Sequence, residues 1–113
     1  MASELNMTKY KAVRTELDGH VFDSEKEMRR WQDLRLLERA GAILNLQRQV
    51  SFDLYGANGE RVARYVADFT YRDLRIGKYI VEDVKSPMTR KLPIYRLKAK
   101  LMIAVHGLRV LET

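Results

Sequence analysis

The chain contains no cysteine. That single absence excludes a disulfide framework, a thiolate nucleophile and a Cys-ligated zinc site. Histidine is nearly absent too: His20 and His106 stand far apart, too isolated for a histidine-based site, and His106 reads as a cap near a helix end. No apolar run exceeds a handful of residues, and Met1-Ala2-Ser3-Glu4 lacks the basic and apolar regions of a signal peptide. A cytoplasmic protein is therefore expected.

What is present is ordinary in amount and uneven in sign. At 113 residues with 46% hydrophobic and 32% charged content, a single domain over 1–113 with one modest core is expected, residues 1–8 forming a loose tail. So small a domain buries little surface alone, which favours a homodimer. The formal net charge of +6 favours a polyanionic partner such as nucleic acid.

Two segments place acids where acids are costly. Arg64-Tyr65-Val66-Ala67-Asp68-Phe69 and Tyr79-Ile80-Val81-Glu82-Asp83-Val84-Lys85 are rich in strand-favouring residues, yet each carries a carboxylate inside an apolar run. In a strand, Asp83 and Lys85 leave the same face roughly 7 Å apart, and Glu82 points the other way.

Around these segments the pattern changes period several times. Val13 to Leu17 alternates, Asp18-Gly19 supplies a turn, and His20-Val21-Phe22 returns, as a β-hairpin does. Lys9, Lys11 and Arg14 around Tyr10 form a basic lead-in. Ser24 with Glu27 three residues later has capping-box spacing, and a helix is expected from there to about Ala40, stopped by Gly41. Its apolar stripe is Met28, Trp31, Leu34, Leu37 and Ala40; Arg29, Arg30, Arg35 and Arg39 lie opposite, as a solvated face or a phosphate-binding one.

Ile43 to Leu54 reads as two short extended pieces split by Gln47-Arg48-Gln49. After a turn at Asn58-Gly59, strands over Arg61–Tyr71 and Lys78–Lys85 complete an antiparallel meander. Ser86-Pro87 stops the last strand and Met88 to Lys91 makes a basic loop. Pro93 then opens a helix with Ile94, Leu97, Leu101, Ala104 and Val105 on its apolar face; Gly107 ends it, and Leu108–Leu111 adds a strand parallel to a neighbour. Trp31, Tyr55, Phe69 and Tyr71, with Tyr10, are expected in the core. The order is α-β-β-β-α-β after an N-terminal hairpin, an α/β fold with a central mixed sheet flanked by helices.

That order, with Phe22-Asp23-Ser24-Glu25-Lys26-Glu27, Leu36-Leu37-Glu38-Arg39-Ala40-Gly41, Tyr65-Val66-Ala67-Asp68-Phe69, Val81-Glu82-Asp83-Val84-Lys85 and Tyr95-Arg96-Leu97-Lys98, resembles the PD-(D/E)XK nuclease superfamily. Within it the likeness is to a small phage and prophage family long listed as a domain of unknown function. The resemblance implies a restriction-endonuclease-like core and a Mg²⁺-dependent DNA endonuclease, with Mn²⁺ as a substitute ion, in a bacterial host cell. It implies that Asp68 and Asp83 bind the metal, that Glu27 completes the site and that Lys85 is the catalytic lysine. Ala67 stands where the superfamily has proline, which does no chemistry.

Small size and family company extend the expectation to a Holliday-junction or branched-DNA resolvase, for which one site per chain again requires two chains. Gln47 and Gln49 on the first core strand, Arg90 and Lys91 in the basic loop, and Tyr95 and Lys98 on the last helix are candidate nucleic-acid contacts. The alternative is a non-catalytic nucleic-acid-binding module on the same scaffold.

Overall fold

A computed structural model describes residues 14–113. The tail and Lys9, Tyr10 and Lys11 of the basic lead-in lie outside the described residues. Strand β1 (Thr15–Leu17) turns through Asp18 and Gly19, both at positive φ, into β2 (His20–Phe22). Two consecutive left-handed residues are what a two-residue hairpin turn requires. Ser24 then caps helix α1 (Glu25–Arg39), its hydroxyl accepting the Glu27 N–H at 3.0 Å, and Gly41 at φ 78° follows the last turn.

The sheet has the order β3-β4-β5-β6, formed by Ile43–Tyr55, Arg61–Asp73, Lys78–Asp83 and Val110–Glu112. The first three strands are antiparallel neighbours, and β6 lies parallel to β5, as the crossover required. Between β5 and β6 run a helical turn α2 (Pro87–Arg90), helix α3 (Pro93–Leu101) and a π-helical turn over Met102–His106.

Two apolar clusters hold the layers together. Phe22, Trp31, Leu34, Ile43, Phe69 and Tyr71 pack α1 and the hairpin against the sheet. Leu54, Tyr65, Ala67, Val81, Tyr95 and Met102 pack α3 and the π turn against it. In β5 the neighbours Ile80 and Val81 go to different clusters, as period-two alternation demands. In β4 the set Tyr65, Ala67, Phe69, Tyr71 changes cluster between Ala67 and Phe69. Asp68 sits at that change.

Several expectations are corrected. Ile43 to Tyr55 is one strand, and the expected break survives as a register shift between Leu44 and Gln47, where Asn45 has φ 57°. Strand β5 stops at Asp83, so Lys85 lies just beyond it. Residues 87–90 are helical, because Ser86 caps them through the Thr89 N–H. On α3 the buried line is Tyr95 and Met102 with Ala99 beside them, at i, i+4 and i+7, while Ile94 and Leu97 are exposed. The expected stripe is thus rotated by about one position. Tyr55 is exposed, and His106 bonds through Nε2 to the Asp53 carbonyl on β3 instead of capping its own helix.

Glu82, fully buried on the α1 side, is held by Arg30 in a two-point ion pair (2.6 and 3.0 Å), by the Tyr71 hydroxyl at 2.6 Å and by the Thr113 hydroxyl at 3.0 Å. A buried carboxylate stripped of its cation is strongly destabilising. Arg30→Met is expected to lower unfolding free energy by about 2–4 kcal/mol, which urea denaturation would measure; a loss too small to resolve would show that Tyr71 and Thr113 suffice.

Candidate functional site

Three acids meet where the two clusters meet. Phe69 pairs with Glu82 across β4 and β5, so Asp68 and Asp83 are the next residues along the two strands. Asp68 Oδ2 accepts the Val84 N–H at 2.8 Å. Glu27 arrives from the first turn of α1, and Lys26 beside it donates to the Lys85 carbonyl at 3.2 Å, tying that turn to the end of β5.

Gln49 joins the helix-borne acid to the strand-borne one. Its side-chain N–H₂ lies 3.4 Å from Glu27 Oε2 and 3.3 Å from Asp68 Oδ1. Arg48 also reaches Glu27 Oε2, at 3.5 Å, while donating to the Val21 carbonyl and lying over the Phe22 ring. Adjacent strand residues normally face opposite ways. Here both touch one carboxylate because Gln49 adopts φ 52°, a left-handed conformation costly for a residue with a side chain.

Asp83 is buried on the α3 side. Its Oδ2 accepts the Tyr65 hydroxyl at 2.5 Å; its Oδ1 lies 3.3 Å from Lys85 Nζ but has no hydrogen bond of good geometry. The Lys85 ammonium also lies 5.0 Å from the centre of the Tyr95 ring. With a side chain about one-fifth exposed, Lys85 reaches the surface while holding its contact to Asp83.

The electrostatics follow from crowding acids in a dry place. Burial first, then the carboxylates of Asp68 and Asp23, push Glu27 up to about 7, with Arg48 opposing. Burial and the adjoining Asp68 likewise hold Asp83 well above the usual carboxylate range, against the pull of Tyr65 and Lys85. A cation would relieve both, and the donors are all hard oxygens of the kind Mg²⁺ prefers. Among the described residues no three His, Cys, Asp or Glu side chains already form a metal cluster, and the Gln49 amide lies between Glu27 and Asp68. The residues present fit a divalent ion in donor chemistry and unbalanced charge; closer approach of the acids would have to follow its binding.

The other candidates separate. Gln47 is exposed and touches none of these acids, because the β3 register shift precedes it. Arg90 and Lys91 are exposed on or just after α2, Arg90 lying 4.0 Å from Glu112, and Lys98 is half-buried. Tyr95 is not a surface contact: its ring is in the core, and burial and the nearby Glu112 push its hydroxyl up. Reasoning from sequence passed over Arg48, whose place in the polar Gln47-Arg48-Gln49 break was the available signal. It passed over Tyr65 as well, an aromatic with a polar tip three residues before Asp68.

Fold and site together define a small α/β domain with acids and one lysine gathered where β5 ends against the middle of β4. Over residues 7–107 the sequence matches the family described as "protein of unknown function (DUF1064)", and the chain belongs to that family. No curated protein and no solved structure matches it. Among the described residues no helix is long and apolar enough to cross a membrane.

Because burial raises Glu27 from 4.5 to about 7 and raises Asp83 as well, these two groups bind more protons in the folded state than in the unfolded state from the ordinary carboxylate range up through neutrality. Stability contributed by their neutral forms is present at low pH and is lost as pH rises through that window. Calorimetry from about pH 5 to 8 should show the melting temperature falling, by the equivalent of on the order of 2 kcal/mol, with a flatter slope in Glu27→Gln. A melting temperature that rises over the same range would contradict this electrostatic picture.

Proposed function

We propose that this chain is a metal-dependent DNA endonuclease that hydrolyses phosphodiester bonds and acts as a homodimer. The observation that supports it most is the convergence of Glu27, Asp68, Asp83 and Lys85, from one helix and two strands, on a single patch carrying more negative charge than its surroundings balance. Asp68 and Asp83, with Glu27, would hold Mg²⁺ or Mn²⁺. Such an ion, when bound, makes a water more nucleophilic and offsets negative charge growing on phosphate oxygens.

The remaining roles belong to the chain itself. Tyr65 keeps Asp83 Oδ2 occupied and leaves Oδ1, buried beside the Lys85 ammonium, as the oxygen without a hydrogen bond. Glu27, whose carboxyl burial and Asp68 push up to about 7, is the acid a bound cation would relieve, and Arg48 and Gln49 fix where its Oε2 points. Lys85 presents a fixed positive charge to the scissile phosphate. Exposed Arg90 and Lys91 and half-buried Lys98 supply salt-dependent phosphate contacts. Branched DNA as the preferred substrate rests on the family resemblance alone.

A second reading, a DNA-binding module without catalysis, draws on the Gln49 amide lying between two of the acids. One assay separates the two. Supercoiled plasmid and a synthetic four-way junction are incubated with protein and Mg²⁺, Mn²⁺ or EDTA; cutting is expected only with metal. Asp68→Asn and Asp83→Asn should abolish cutting while retaining DNA in a mobility-shift assay, and Lys85→Ala should slow it roughly 10²–10³-fold. DNA that is bound and never cut with either ion sinks the enzyme reading and leaves the module.

Metal binding has its own readout in stability. At about pH 8, where the acid cluster is most strained, millimolar Mg²⁺ is expected to raise the melting temperature of the wild type and not of Asp83→Asn. Equal shifts in both proteins would place the ion elsewhere.

A further inference from the structure

The two edges of the sheet differ. Edge strand β3 is broken by register shifts and by left-handed Asn45 and Gln49, features that discourage pairing with another chain. Edge strand β6 has no register shift or left-handed residue among Val110, Leu111 and Glu112, and it covers β5 only from Val81 to Asp83. Thr113 donates its N–H to the Asp83 carbonyl and accepts the Lys85 N–H, both at 3.0 Å. In a parallel pair alternate residues bond to the same neighbour, so Leu111 faces β5 like Thr113, while the N–H and C=O groups of Val110 and Glu112 point outward.

We propose that β6 is the homodimer interface, pairing antiparallel with β6 of a second copy about a two-fold axis at Leu111. The phase of the outward groups fits this axis without adjustment. Val110 exchanges two hydrogen bonds with Glu112 of the second copy, and Glu112 with its Val110. Leu111, 44% exposed in the single chain, becomes the closely spaced non-hydrogen-bonded pair and packs on its own mate. An isologous contact of this kind closes at two chains.

Charge favours the same occupant. A groove of about 670 Å³ beside this edge is lined by Lys78, Arg90 and Arg109 against Asp73 and Glu112. Asp73 is already engaged by its own Arg75 at 3.0 Å and Arg90 lies 4.0 Å from this chain's own Glu112, which leaves Lys78 and Arg109 as the cations of the wall among the described residues. The incoming Glu112 carboxylate meets that wall. The resulting eight-stranded sheet places both copies of Asp83 on one face, roughly 15 Å apart at ordinary strand spacing. The interface stands independently of what that site does.

The absence of cysteine makes a sharp test available in the full-length chain. Leu111→Cys, Arg109→Cys and the double variant Arg109→Cys/Thr113→Cys are oxidised with diamide and run on non-reducing gels, after sedimentation of the unmodified wild type. The wild type should sediment as a dimer. Leu111→Cys should cross-link rapidly, since non-hydrogen-bonded partners stand within disulfide reach; Arg109→Cys alone should not, and pairing it with Thr113→Cys should restore the bond. A monomeric wild type, or a Leu111→Cys rate no greater than that of Arg109→Cys, overturns the proposal. Circular dichroism of each variant establishes that the comparison is between folded chains.

Discussion

Like charge held out of water is the constraint on which the rest of this molecule turns. Asp68 and Asp83 occupy adjacent strands at one level of the sheet, and Glu27 approaches from α1. Burial penalises the ionised forms of Glu27 and Asp83, and the Asp68 carboxylate adds to the penalty on both. Among the described residues Arg48 and Lys85 answer with charge, and Gln49, Tyr65 and the Val84 N–H answer with hydrogen bonds. Core packing must therefore hold the acids together, which is why Phe69 and Ala67, one residue either side of Asp68, anchor two different clusters.

The neighbours Glu82 and Asp83 show how much environment decides. Both are buried and one residue apart, so they face opposite sides of the sheet. Glu82 meets a guanidinium and two hydroxyls, and its charge is fully answered. Asp83 meets one hydroxyl, another carboxylate and a lysine that is itself partly exposed. The first arrangement is that of a structural ion pair. The second leaves chemistry undone, and perturbed acids of that kind concentrate at functional sites.

Much of this was legible in the sequence wherever a local rule governed the outcome. Ser24, Gly41, Pro93 and Gly107 mark helix ends by their own backbone chemistry, and period-two alternation separates Asp83 from Glu82 by placing Asp83 on the face of Lys85. The misses lie where tertiary packing overrode local preference. Tyr95 is drawn under Lys85 by the second cluster, which turns Ile94 and Leu97 outward. Gln47 and Gln49 are both expected contacts as polar residues of the first core strand, and the left-handed backbone at Gln49 brings Arg48 to the acids beside it while Gln47 stays away. A positive φ at a glutamine has no sequence signature.

Several exceptions to ordinary folding rules gather around Asp68. A left-handed glutamine, two acids held above their usual range, a buried carboxylate oxygen without a hydrogen bond and a strand that changes clusters are joined to it by contact or pairing. A fold under selection for stability alone would replace such features with apolar side chains at little cost. Where these features coincide the fold carries strain, and the Arg30–Glu82 lock on the other face supplies part of the stability that tolerates it.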